Sequence, residues 1–305
     1  MFQKLKEYLL IKLGITELRH DLQQAEKRLD DRFEFLGSYM NLIQAEELSI
    51  DKNLSAKVES RLKKEFGLSS VNMTTHKNDI MFAIHLFEHR HDVQKAIYSH
   101  FKVGGRTAAN LKSLCEKEGL SKQKILDFGS GYGRVSRFLP THFQDAEILV
   151  SEVKEQALAF QKRHFGFEGL FHNQDPKSLQ ANGFDLILAL SVFTHLPKVS
   201  FQAWLQHLIA MLSPGGALIF TFNNGDDAKY QESYGKQDFS FQLASEDSKF
   251  SFIADSLNDT HEYGNTFISH SFLKGLLDYE GLSYQFLGYE FSPAQETILI
   301  KKEII

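Results

Sequence analysis

The densest chemistry in the chain lies at Asp127-Phe128-Gly129-Ser130-Gly131-Tyr132-Gly133, a carboxylate followed by three glycines at alternate positions. An apolar run, Lys124 to Phe128, leads into it, and Arg134 to Leu139 reads as the start of a helix. Glycines let the backbone turn sharply and let a ligand approach where a Cβ would collide. Amides at a following helix N-terminus can face a carboxylate or phosphate. The dinucleotide spacing G-x-G-x-x-G would need its third glycine at 134, where Arg134 stands. Asp127 would also repel a pyrophosphate, whereas it suits a cationic amino group. The Gly-Lys-Ser/Thr ending of a phosphate loop is absent. A second carboxylate, Glu152, follows Gly133 by 19 residues at the end of the next apolar run, placed to accept hydrogen bonds from a pair of ribose hydroxyls.

These residues need a scaffold, and the texture from residue 124 onward supplies one. Short apolar strands at 124–128, 147–150, 169–172, 184–190 and 217–222 alternate with helices near 155–164 and around Trp204 and Leu208. That alternation implies an α/β fold with a mostly parallel sheet covered on both faces. Near the end, a helix at 271–279 precedes strands at 283–291 and 296–301, whose short link permits only antiparallel pairing. Upstream, 1–60 reads as a helical, coiled-coil-like extension, and 61–122 as a helical cap. Leu18, Leu22, Ala25, Leu29, Phe33 and Leu36 form a narrow apolar seam in a charged sleeve, the pattern of a helix that self-associates. Phe2, Leu5, Leu9, Leu10 and Leu13 form an amphipathic start that suits packing on protein more than on a membrane surface. Residues 223–265 form a long insertion. Within it, 239–243 and 250–254 flank a polar turn and read as a hairpin, a candidate lid at the ligand edge.

The motif set resembles the class I S-adenosylmethionine-dependent methyltransferases. The likeness rests on the Asp127-to-Gly133 turn, on Glu152, and on Phe184 to Leu196, which is similar to the strand after the cofactor. It rests also on Leu212-Ser213-Pro214-Gly215-Gly216 before strand five and on the final hairpin. The resemblance implies a Rossmann-like, seven-stranded, mostly parallel sheet with an antiparallel last strand, covering residues 123–305. It implies S-adenosylmethionine as cofactor and S-adenosylhomocysteine as product. Carried over, Asp127, Gly129, Ser130, Gly131, Gly133 and Arg134 belong to the methionyl side. Glu152 holds the ribose, with Val153 against the adenine. Asn173, Gln174 and Asp175 reach the adenine amino group, and Leu190, Ser191 and Phe193 lie beneath the cofactor. Tyr98, with Gly104, Gly105 and Arg106, resembles a segment whose tyrosine closes over the methionine.

The acceptor is less legible. Cytosine methylation needs a cysteine after strand four, yet Cys115, the one cysteine, precedes the glycine turn. Ala189-Leu190-Ser191-Val192 stands where adenine-amino methylation requires Asp/Asn-Pro-Pro-Tyr. No acid serves a metal after strand four, and Asn223-Asn224-Gly225-Asp226-Asp227 reads as a turn. His195 suits a general base for a hydroxyl; His76 and Asp79 stand second. The expected reaction is methyl transfer to oxygen of a small molecule or glycan, with a protein methyltransferase or a non-catalytic scaffold as rivals. A net charge of -5, from 34 Lys plus Arg against 39 Asp plus Glu, disfavours nucleic acid. The lone cysteine, the charged N-terminus and the lack of a membrane-length apolar run point to the cytoplasm.

Overall fold

The computed structural model describes residues 52–68, 70–90, 92–243 and 264–303. The apolar seam at 18–36, the amphipathic start and the second half of the hairpin read at 239–254 lie outside them. Three helices come first: α1 (Lys52–Phe66), α2 (Ile80–Glu88) and α3 (Val93–Glu118). Asp79 caps α2, accepting from the amides of Met81 and Phe82, and Asp92 caps α3 through the Lys95 amide. Gly119, left-handed at φ 63°, ends α3, a conformation glycine adopts without Cβ strain.

Parallel strands β1 (Lys124–Phe128), β2 (Glu147–Glu152), β3 (Glu168–Phe171), β4 (Phe184–Ala189) and β5 (Leu212–Asn224) follow, with helices between them. These are α4 (Leu139–His142), α5 (Glu155–Phe165) and α6 (Lys198–Met211). The strands lie in the order β3-β2-β1-β4-β5. After α8 (His270–Tyr279), strands β8 (Ser283–Gly288) and β9 (Glu296–Lys301) complete the sheet. Strand β9 runs antiparallel between β5 and β8. That is the expected seven-stranded sheet with its reversed last strand. The insertion adds α7 (Ala228–Tyr234), β6 (Phe239–Leu243) and β7 (Gly264–Ile268).

Alternation along each strand feeds two cores, because successive side chains point to opposite faces. Ile125, Leu186, Leu188 and Ile219 meet Ile97, Phe101, Leu111 and Cys115 of α3. Leu126, Ile187, Leu218 and Phe220 meet Phe201, Trp204 and Leu208 of α6 and Leu273 of α8. The helical segment before residue 123 therefore shares its core with the sheet. Among the described residues no helix is long and apolar enough to cross a membrane.

Two local readings are corrected, and the first half of the expected hairpin gains a described neighbour. Strand β6 takes β7 as its described partner, Phe241 opposite Thr266, and β7 in turn extends the end of β5. Strand β5 begins at Leu212, because Ser213 to Gly216 forms a bulge inside the ladder: Phe184 pairs with Leu212, then Leu186 with Ala217. The helix expected from Arg134 is instead a run of turns and a single 3-10 turn (Ser136–Phe138) before α4. Arg137 explains much of this. Its guanidinium donates to the carbonyls of Gly133, Tyr132, Asn72 and Thr74, tying the turn to the segment before α2.

Candidate active site

The glycine turn runs from the end of β1 with Gly129, Gly131 and Gly133 all left-handed, at φ 70°, 57° and 74°. The three glycines have different reasons. A Cβ on Gly129 would lie 2.4 Å from Cγ2 of Val192, and one on Gly133 would meet Phe165 and Gln161. A Cβ on Gly131 meets nothing within 4 Å. Gly131 therefore faces open space, and a side chain there would fill the cradle.

Asp127 and Glu152 flank this opening on neighbouring strands, and both are buried. Ser136 Oγ donates to Asp127 Oδ2 at 2.5 Å. Burial pushes the Asp127 pKa up to about 7 against that hydrogen bond, with the Glu152 charge adding to the rise and Arg134 opposing it. Burial also raises Glu152, opposed by the amides that bind it. Glu152 Oε2 accepts from the Gly131 amide at 2.8 Å, and Oε1 from the amides of Val153 and Lys154. Glu152 therefore shapes the turn as well as facing the opening. Gln161, fully buried on α5, donates to Ser130 Oγ and the Gly131 carbonyl. Beside Glu152, Val153 is 46% exposed, and Phe171, the register partner of Glu152 on β3, is 47% exposed. Two buried carboxylates with no ion pair among the described residues, an open glycine and an exposed apolar shelf fit a ligand with an ammonium, vicinal hydroxyls and a flat apolar ring.

Other expected residues fall as follows. Leu190 is partly buried at the end of β4. Ser191, left-handed at φ 58°, is pinned there: its amide donates to Thr221 Oγ1, and its hydroxyl to Gln295 Oε1, both at 2.8 Å. Asn173 and Asp175 lie exposed after β3, where their carboxamide and carboxylate oxygens take the amides of Asp175 and Lys177; Gln174 is exposed between them. His195 Nδ1–H donates to the Gly264 carbonyl at 2.8 Å, and burial lowers its pKa against that bond. His76 stacks on Tyr132 at 4.5 Å, so the segment before α2 roofs the glycine turn.

Two placements differ from expectation. Phe193 is fully buried against Phe201 and Phe220, in the core beneath the strand ends. Tyr98 faces α1: its hydroxyl donates to Glu65, and Arg61 covers its ring at 3.7 Å. Its helix turns it toward α1, while Gly104 and Gly105 serve close packing against the Arg134 carbonyl and the Phe66 ring. Asp226 and Asp227 serve the turn after β5, taking the His270 and Tyr230 amides. Gln161, Arg137 and Gln295 escaped the sequence reading. Only Gln161 had a signal, as a polar residue on the apolar stripe Ala157, Phe160, Gln161.

Residues 126–218 match the family model described as a methyltransferase domain. No curated protein sequence matches the chain. Among solved structures, a provisionally assigned O-methyltransferase of Nostoc punctiforme PCC 73102 is 15% identical, with a TM-score of 0.50 over 89% of this chain and 72% of its own. A S-adenosylmethionine-dependent methyltransferase of Clostridium acetobutylicum ATCC 824 is 14% identical, with a TM-score of 0.48 over 66% of this chain and 92% of its own. The glycine turn and both carboxylates lie within the matched segment, so residues 126–218 carry the sequence marks of a methyltransferase domain.

Proposed function

We propose that this methyltransferase moves the methyl group of S-adenosylmethionine to an oxygen of a small molecule or glycan. The observation that carries the cofactor placement is the Gly131 opening between two buried carboxylates. Asp127 would take the ammonium, Glu152 the ribose hydroxyls, and Val153 one face of the adenine. Asn173, Gln174 and Asp175 border the adenine edge, and Leu190 and Ser191 lie under the reacting end. When bound, the cofactor supplies an activated methyl group, so the protein's task is to position the acceptor and remove its proton.

Calorimetric titration of S-adenosylmethionine tests this placement. Wild type is expected to bind, and Glu152→Ala to bind at least about 100-fold more weakly, because hydrogen bonds to a carboxylate and the shape of the turn are lost together. Equal affinity in the two proteins would remove Glu152 from the site.

His195 is proposed as the general base. With Nδ1–H held by a carbonyl and the pKa lowered, the ring is neutral near pH 7 and Nε2 is its basic nitrogen. His195→Ala should keep cofactor affinity and lose about 100-fold or more in turnover. Unchanged turnover would assign His195 to packing alone.

A further inference from the structure

Strand β8 forms an outer edge of the sheet: it pairs with β9, and no strand lies on its other side among the described residues. Such an edge offers a row of amides and carbonyls to another chain, and proteins usually blunt it with charge, proline or a bulge. Ser283-Tyr284-Gln285-Phe286-Leu287-Gly288 has no charged residue and no proline. Its one irregularity, between Phe286 and Gly288, leaves Ser283 to Phe286 in unbroken register with β9. The charges lie beside the strand instead, with opposite signs at its two ends. On the α3 face, Lys117, Gln285 and Glu290 line a groove. Lys117 stands at the Ser283 end, since its neighbour Glu118 accepts from Lys301, the register partner of Ser283. Glu290 follows the Gly288 end, where its carbonyl takes the side-chain amide of Asn110 on α3. On the other face α8 reverses the signs: Asp278 accepts from the Tyr284 hydroxyl, and Lys274 lies over the Phe286 ring. Tyr279 and Tyr289, 88% and 50% exposed, flank the two ends.

We propose that the β8 edge joins a second copy of this chain, antiparallel, across a twofold axis near Gln285 and Phe286, making one continuous sheet. The axis stands perpendicular to the sheet, so the α3 faces of the two copies lie side by side. The Ser283 end of one strand then meets the Gly288 end of the other. Lys117 comes to Glu290 of the second copy on one face, and Asp278 to Lys274 of the second copy on the other. Each of these pairs occurs twice, because a twofold interface presents the same patch on both copies. Tyr279 meets Tyr289 of the second copy at each end of the seam. Strand addition supplies main-chain hydrogen bonds, and exposed tyrosines supply the aromatic contact that interfaces favour.

Sedimentation equilibrium of the full chain, at concentrations up to about 100 µM, tests this on wild type and on charge variants. Wild type should be dimeric at the upper end of that range. Lys117→Glu and Glu290→Lys should each weaken the dimer about 10-fold or more, since each turns two attractions into two repulsions. The double variant restores opposite signs across the axis and should return to within about threefold of wild type. Gln285→Lys sets two like charges side by side at the axis and should weaken the dimer as much as the single swaps. A wild type that stays monomeric throughout would overturn the inference, whatever the variants do. A dimer indifferent to all these changes would overturn it too, and would place self-association on another surface such as the apolar seam at 18–36. So would a double variant no tighter than the single ones, because antiparallel pairing requires Lys117 and Glu290 to face each other.

Discussion

S-adenosylhomocysteine should bind about twentyfold more weakly at pH 5.5 than at pH 7.5, and Asp127→Asn should flatten that dependence while binding weakly throughout. The free protein's Asp127 titrates at about 7, because burial disfavours its charge. An ammonium laid against it lowers that value in the complex, so below pH 7 the ligand must first displace a proton. Each further pH unit then costs about 1.4 kcal/mol, a factor of ten. The same carboxylate has the opposite effect on folding. Its folded pKa lies above the unfolded one, so its contribution to stability is complete below the unfolded value and is lost as pH rises through about 7. Asp127→Asn, which cannot ionise, should therefore melt at least about 5 °C higher than wild type at pH 8, with the gap narrowing toward pH 5. Melting and titration of both proteins at the two pH extremes check the pair. A variant that is less stable at pH 8, or a wild type with pH-independent affinity, would refute the placement of an ionised Asp127 under the ammonium.

Gly104→Ala should be the most damaging methyl group that can be added to this protein. A Cβ there would stand 1.9 Å from the Arg134 carbonyl oxygen and 2.8 Å from the Phe138 ring. The first of these is backbone and cannot swing aside. The expected loss is about 3 kcal/mol or more, at the upper end of overpacking costs. Because the clash pries α3 from the glycine turn, cofactor affinity should fall with it. Gly275→Ala is the control: a Cβ there meets nothing within 4 Å inside α8, so helix propensity should raise stability by up to about 1 kcal/mol. Chemical denaturation of the two variants separates the outcomes, and a Gly104→Ala protein as stable as wild type would mean that α3 does not press on the turn.

Much of this molecule was legible where physics is local. The glycine spacing, the carboxylate before it and the one after β2 follow from what a tight turn and a ligand need. The parallel sheet followed from the alternation of strands and helices, and the antiparallel pairing at its end from the short final link. What stayed hidden depends on where side chains go after the chain folds. Phe193 lies two residues past Ser191, yet it turns into the core. Tyr98 sits on a helix that presents its ring to Arg61 and its hydroxyl to Glu65, both on α1. The turn after Gly133 could not be told from a helix, because Arg137 finds its acceptors in part at Asn72 and Thr74, more than sixty residues upstream. The second duty of Glu152, holding the Gly131 amide, is likewise a contact at a distance in sequence, from the end of β2 to the turn after β1.

The reversed strand β9 also sets the order in which the protein can be made. Among the described residues, strand β8 has β9 as its only strand partner, and β9 links it to β5, with Ala217 opposite Lys301 and Phe222 opposite Glu296. A nascent chain that has already built its five parallel strands still presents the open rim of β5, a row of unpaired amides and carbonyls backed by apolar side chains. Such a rim is a template for the wrong partner. It closes only when residues 283–301 arrive together as a hairpin, bringing Ile298, Leu299 and Ile300 into the two cores at one stroke. Closure of the sheet, and not formation of the ligand turn, should therefore be the late step of synthesis, and chains cut short of residue 296 should be sticky with the glycine turn already in place.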